Sequence, residues 1–199
     1  MFNRRETAAS RTRPLENLTG VYAIDPARST IGFSVRYGVV TNVRGRFTAF
    51  EGLLKLDGAR PTRSEAFLSV QTCSVDTGYP ERDAHVTGPD FLDAATFPLM
   101  SFRSGGGVLH AGEGRFRLPG HLLIKDIELP VHVDLGLRGA GEDAHRRNRV
   151  GFTGAATLQR SDWGLDGNRP LATGGVLISD KVKLTLDIRA VRLDQTHDG

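Results

Sequence analysis

One cysteine, one tryptophan and two methionines among 199 residues leave little sulfur or redox chemistry to this chain. Alone, Cys73 excludes an intramolecular disulfide, a cysteine-built zinc site and a CxxC redox pair. Its surroundings, LSVQTCSVD, read as a strand with the thiol packed or half-buried. No stretch approaches the about 20 apolar residues that cross a bilayer as a helix. The first twenty residues, MFNRRETAASRTRPLENLTG, have no apolar core of a secretory signal, and these two absences point to a soluble cytoplasmic protein. Catalytic spacings are missing as well: there is no HxH or HExxH for a metal, and no GxSxG for a nucleophilic serine. The glycine-rich SGGGVLHAGEG lacks the Lys and Ser/Thr of a phosphate loop and reads as a flexible hairpin tip. The histidines at 85, 110, 121, 132, 145 and 197 are scattered, so no catalytic residue, metal or cofactor is expected.

Excess charge is confined to one end. Of 26 basic and 23 acidic residues, the first fourteen positions hold four arginines against Glu6, and the remaining 22 and 22 balance. A neutral body lacks the basic face that several phosphates would require, so nucleic acid is excluded as a partner. Polarity, charge and the lack of a periodic apolar face make residues 1–19 an expected disordered tail, and 194–199 an expected flexible C-terminus. Residues 20–193, in a chain that is 39% hydrophobic, suffice for one domain with one core.

Within that domain the apolar residues recur every second position, the mark of strands with one buried face. Ile31, Phe33, Val35 and Tyr37 alternate with small or polar residues, and Ala66, Leu68 and Val70 follow suit. The same holds for Phe116, Leu118, Leu122 and Ile124, and for Val182, Leu184, Leu186 and Ile188. In VRGRFTAFEGLLKLD the phase changes, which predicts a β-bulge near Phe50 and Glu51. About eight long strands with short connections predict an all-β, eight-stranded antiparallel barrel, which leaves no open edge. A two-sheet sandwich is the alternative, because strand patterns do not report closure. One short helical connection is expected around residues 79–93.

That connection, YPERDAHVTGPDFLD, concentrates polar side chains. Pro80 opens a helical turn, Glu81 and Asp83 suit its positive end, and Arg82 or His85 pins it to the barrel. Asp83 is expected to accept hydrogen bonds or to pair with Arg82 or Arg160. The apolar strand phases nominate Phe33, Val35, Phe47, Leu68, Phe102, Leu122, Ile124 and Phe152 as lining for a greasy ligand, against the alternative of a filled core.

Four separated segments, YAIDPARSTIGFSVRYGVVTNVRGRFTAFEGLLKLD, SVDTGYPERDAHVTGPDFLDAATFPLMSFRS, GHLLIKDIELPVHVDLGL and GFTGAATLQRSDWGL, resemble in order the signatures of the YceI-like family of polyisoprenoid-binding proteins. The resemblance runs from Val21 to Leu193 and implies an extended lipocalin-like barrel holding a long amphipathic lipid, such as an isoprenoid chain, in a central tube. It implies a lid or scaffold near the open end of the barrel for Arg82, Asp83, His85, Asp90, Phe91, Asp93 and Pro98. Arg160, Ser161, Asp162, Trp163 and Gly164 resemble a family turn in which Trp163 takes the place usually held by Phe. Phe91 and Trp163 thereby join the expected ligand contacts, and Arg82, Asp83, His85 and Arg160 the expected head-group or lid set. Arg28 and Tyr37 stand where relatives commonly carry histidine, so roles for those imidazoles are not transferred. The resulting expectation is a non-catalytic carrier of a long-chain lipid. An enzyme acting through Arg82, Asp83 and His85, or a ligand-free structural or stress-response barrel, are the competing readings. The oligomeric state stays open, with a homodimer the one assembly considered.

Overall fold

A computed structural model describes residues 15–38, 41–105, 107–167 and 178–193. Its strands are β1 (Gly20–Ile24), β2 (Thr30–Tyr37), β3 (Thr41–Phe47), β4 (Phe50–Leu56), β5 (Glu65–Gln71), β6 (Val75–Asp76), β7 (Leu99–Ser104), β8 (Leu109–His110), β9 (Arg115–Ile124), β10 (Ile127–Glu142), β11 (Asn148–Gln159) and β12 (Ile178–Arg192). One helix, α1 (Pro80–Thr87), precedes β7. All pairings are antiparallel, and β1 pairs with both β4 and β12, which closes the sheet on itself.

The twelve segments form eight staves. The long β12 is edged by β1 along Ala190–Arg192 and by β2 along Ile178–Asp187, so β1 and β2 are one interrupted stave. In the same way β3 runs on into β4 and β5 into β6, and β8 continues β7 along β9, which leaves eight. Short helical turns at Pro26–Arg28 and Thr72–Ser74 break two of these staves. The third break is Thr48–Ala49, held by the Thr48 amide donating to the Ser74 carbonyl at 3.0 Å and the Gln71 amide to that of Ala49 at 3.0 Å. Here the inward phase passes from Val43 and Phe47 to Phe50 and Leu54, so the expected change of phase lies just before Phe50. Two residues, Thr48 and Ala49, separate the inward Phe47 and Phe50 where a regular pleat has one, and this one extra residue moves every later side chain to the opposite parity.

The inner face is apolar all round, and at one end it is packed solid. Tyr22, Val150 and Ala190, exposed by 1%, 2% and 0%, form a floor where β1, β11 and β12 meet. Burial there pushes the Tyr22 phenol above its usual pKa, against the opposing pull of Arg192. Outside the floor, the β10–β11 turn is latched to the β1–β2 break by Arg149, which reaches Asp143 at 2.7 Å and Asp25 at 3.0 Å.

Part of the expected tail is ordered into the domain. Residues 1–14 and the expected flexible residues 194–199 lie outside the described residues. Leu15–Leu18, however, forms a short helical turn that drops Leu18 into the core at 6% exposure. Leu15 and Leu18 alone in a polar stretch are too few to establish a period, so the burial of Leu18 is invisible to pattern reading. Cys73 is exposed, not packed: in its tight turn Thr72 takes the inward position and donates to the Phe97 carbonyl at 2.7 Å. The glycine-rich tip also differs from expectation, because Val108 beside it is buried and β8 pairs with β9.

Candidate ligand-binding site

Above the floor the inner side chains do not meet, and a cavity of about 1350 Å³ runs along the barrel. That exceeds the ~300–1,000 Å³ of ordinary small-molecule pockets. Its wall follows from the pleat: Phe33 and Val35 point inward from β2, Leu68 and Val70 from β5, and Leu122 and Ile124 from β9. Val131 and Val133 of β10, Phe152 and Leu158 of β11 and Leu184 and Leu186 of β12 continue the same face.

Two glycines shape this wall. A Cβ on Gly120 would stand 2.5 Å from the Phe102 ring, and one on Gly45 would collide with the Phe33 ring, its cross-strand partner. Each aromatic therefore lies flat over backbone and leaves the centre of the tube clear.

Polar lining groups gather at the two ends. At the upper end, α1 supplies Glu81, Arg82 and His85, and the loop after it Asp90. The turn Arg160–Trp163 adds Arg160 there. The lower end is covered by Leu18 and Val108 and edged by Asp57, Ser64 and Glu65 of the β4–β5 connection.

The upper cluster is built around Thr77. Its hydroxyl donates to Asp83 at 2.5 Å and accepts from the Arg82 Nε at 2.7 Å, while its amide donates to the same Asp83 oxygen at 3.0 Å. Arg82 also donates to the Thr77 carbonyl at 2.8 Å and stacks over Tyr79, 4.6 Å from the ring centre. Proline at the first helical position and acidic residues in the first turn start α1 as expected. The His85 ring meets Phe91 edge-on at 5.1 Å. Arg160, 8% exposed, donates to the carbonyls of Ser179, Ile178 and Leu165 and lies 6.0 Å above Phe91, which ties its turn to the start of β12. Among the described residues no carboxylate lies within ion-pair distance of Arg82 or Arg160. Trp163 is buried in the wall and donates its indole N–H to the Leu122 carbonyl at 3.1 Å.

Phe33, Val35, Phe47, Leu68, Phe91, Phe102, Leu122, Ile124, Phe152 and Trp163 all stand on the cavity wall, as do Arg82, His85 and Arg160. Asp83 does not: its carboxylate turns toward Thr77, so it holds the helix without facing the tube. Thr77, Leu18 and Val108 belong to the wall without any sign of it in the strand pattern. Thr77 could have been suspected, because a threonine shortly before Pro80 can bond forward to an aspartate in the first turn. Among the described residues no three His, Cys, Asp or Glu side chains converge as metal ligands, and no helix is long and apolar enough to cross a membrane.

An eight-stave antiparallel barrel closed around an apolar cavity is the architecture of a lipocalin-like barrel. The chain belongs to the YceI-like family, whose domain matches residues 22–190. It is 33% identical over 159 residues to the UPF0312 protein of Shewanella oneidensis, covering 79% of this chain and 83% of that one. A Vibrio cholerae UPF0312 protein is 32% identical over 146 residues, 72% of this chain and 77% of the relative. Among solved structures, Burkholderia cenocepacia BcnA superposes with a TM-score of 0.70 at 22% identity, covering 83% of this chain and 98% of that one. A polyisoprenoid binding domain from Saccharophagus degradans, implicated in plant cell wall breakdown, gives 0.66 at 17% identity over 86% of this chain and 98% of that domain.

Proposed function

We propose that this protein is a non-catalytic carrier that holds a long-chain amphipathic lipid of the polyisoprenoid type in its barrel. The observation that carries this reading is the continuous apolar face of eight staves enclosing about 1350 Å³, with charged groups only toward the ends. An alkyl or prenyl chain gains about 0.8 kcal/mol per methylene removed from water, so ten to fifteen buried carbons outweigh the cost of association. A charged head group cannot follow the chain inward unpaired. It rests at the upper end, where Arg82 and Arg160 offer positive charge with no carboxylate partner among the described residues. The polyisoprenoid-binding domain with the same fold supports the chain type. Absence of catalysis is supported by the use of Asp83 and Thr77 to hold α1, while His85 lies edge-on against Phe91 with no carboxylate bonded to it among the described residues. A cytoplasmic address belongs to the same reading, supported by one exposed, unpaired thiol at Cys73.

Trp163 is the only tryptophan and lies in the wall, so its fluorescence reports filling of the tube. Titration with prenyl alcohols and fatty acids of increasing length should shift its emission, and mass spectrometry of solvent extracts from the purified protein should find a co-purified long-chain lipid. Replacing Phe102 or Leu122 with Arg should abolish the shift. Wild-type emission unmoved by every chain, with nothing extracted, would refute the carrier.

A further inference from the structure

On β2, β3 and β12 the exposed outward positions nearest the upper end are basic. β2 and β3 alternate there, and β12 does so against β11 from Lys181 onward, after an irregularity between Ile178 and Val182 in its pairing with β2; the residues between the lining positions face solvent, and Arg36, Arg44, Lys181 and Lys183 are all exposed. Register sets them side by side. Lys183 is opposite Ser34, and Ser34 is opposite Arg44, so these two cations lie on one row about two strand spacings, ~10 Å, apart. Arg36, two residues along β2 from Ser34, is the diagonal neighbour of Arg44.

None of the four forms an ion pair among the described residues, whereas the neighbouring Arg46 is matched by Asp76 at 3.0 Å and Arg189 by Asp187 at 3.3 Å. Asp180 accepts instead from the Ser161 amide and hydroxyl. The acidic groups Glu81 and Asp90 belong to the α1 side of the opening. Like charges about a Debye length apart repel, and they add nothing to a fold whose body is otherwise charge-balanced. The rim beside them is aromatic: Tyr37 is 42% and Tyr79 65% exposed. Basic side chains flanking exposed tyrosines at the mouth of an apolar tube match the headgroup zone of an anionic bilayer, where ammonium and guanidinium groups meet phosphates and phenols lie at the boundary.

We propose that the face formed by Arg36, Arg44, Lys181 and Lys183 docks the mouth of the barrel on an anionic membrane surface. A lipid then passes between bilayer and tube without exposing its chain to water, a purpose that rests on the carrier reading although docking itself is measured separately.

The test is co-sedimentation of the full chain with vesicles of phosphatidylcholine alone and with added phosphatidylglycerol. Binding should appear only with the anionic lipid and weaken as salt is raised. The double variant Lys181→Glu, Lys183→Glu should bind at least about twentyfold more weakly, given roughly fivefold per basic charge near such a surface. Its Trp163 response to a fatty acid in solution should be unchanged, since neither lysine lines the tube. Arg44→Glu, on another strand, should bind at least about fivefold more weakly if the face acts as a unit. Equal vesicle binding by wild type and both variants would overturn the proposal and shift the anchor to the arginines of residues 1–14. Indifference to anionic vesicles together with retention on an RNA or heparin matrix would also overturn it. Wild type that docks on vesicles but takes up no chain upholds this inference and refutes the carrier instead.

Discussion

Ala156 faces the tube from β11, opposite Leu184 of β12, with neither partly buried side chain filling the space before it. Ala156→Phe projects a ring into the cavity and leaves the sheet register untouched. The protein itself should lose little stability, because the added carbons enter open space and remove more apolar surface from water. The ligand loses what the ring takes. About six added carbons exclude on the order of four methylenes, which at ~0.8 kcal/mol each costs about 3 kcal/mol, roughly a hundredfold in Kd. This loss should grow with chain length: short chains fit below or above the ring, while chains that span Ala156 are penalised. The assay is Trp163 fluorescence across a homologous series of prenyl alcohols, with a denaturation curve as control for folding. An equal loss at every length, or none for the longest chain in a folded variant, would refute the claim that the chain lies along the tube past Ala156.

Removing residues 1–14 should leave the unfolding free energy within about 1 kcal/mol of the full chain. Removal through Leu18 should cost a further ~1.5–3 kcal/mol, because Leu18 is buried, and thermal melts of the two truncations separate these cases. Arg160→Lys should destabilise by about 2–3 kcal/mol in urea titration and not substitute for arginine, since one ammonium cannot span the three carbonyls of Leu165, Ile178 and Ser179. Asp143 is held well below the usual carboxylate range, first by the hydrogen bond from Arg149, against desolvation that pushes it up, with the backbone amides of Arg147 and His145 and the charge of Arg147 adding to the depression. A carboxyl with a depressed folded pKa stabilises the fold above its unfolded pKa of about 3.9, and that contribution is lost as pH falls. The melting temperature should therefore fall in acid with a shallower slope in Asp143→Asn; an identical slope in the variant would remove the latch from the acid response.

Period two is a local property of the chain, so the strand faces are legible in the amino-acid sequence alone. Every second residue of a stave points into the barrel, and water exclusion requires those residues to be apolar. The eight lining residues nominated from the strand phases, from Phe33 to Phe152, accordingly stand on the wall, and the helical turn announced by Pro80 is α1. The four ordered signatures likewise point to the YceI-like family whose domain spans residues 22–190. Closure is not readable in that way. It depends on β1 meeting β12, as Tyr22 meets Arg192, and such long-range pairing leaves no mark on either strand alone.

Nor can composition tell a filled core from a tube. That outcome turns on Phe102 and Phe33 lying flat over Gly120 and Gly45, which only the register brings together. The polar cluster shows the same division. Its residues are evident in the chain, but a carboxylate at Asp83 bonds whichever donor the fold presents, and that donor is Thr77. Arg160 stands at the tube as its resemblance implies, but the three backbone carbonyls near β12 that fix it there are met only because the turn after β11 folds back on that strand. Chemistry and alternation are written residue by residue, whereas partners, closure and empty volume arise only when distant segments are held in one register.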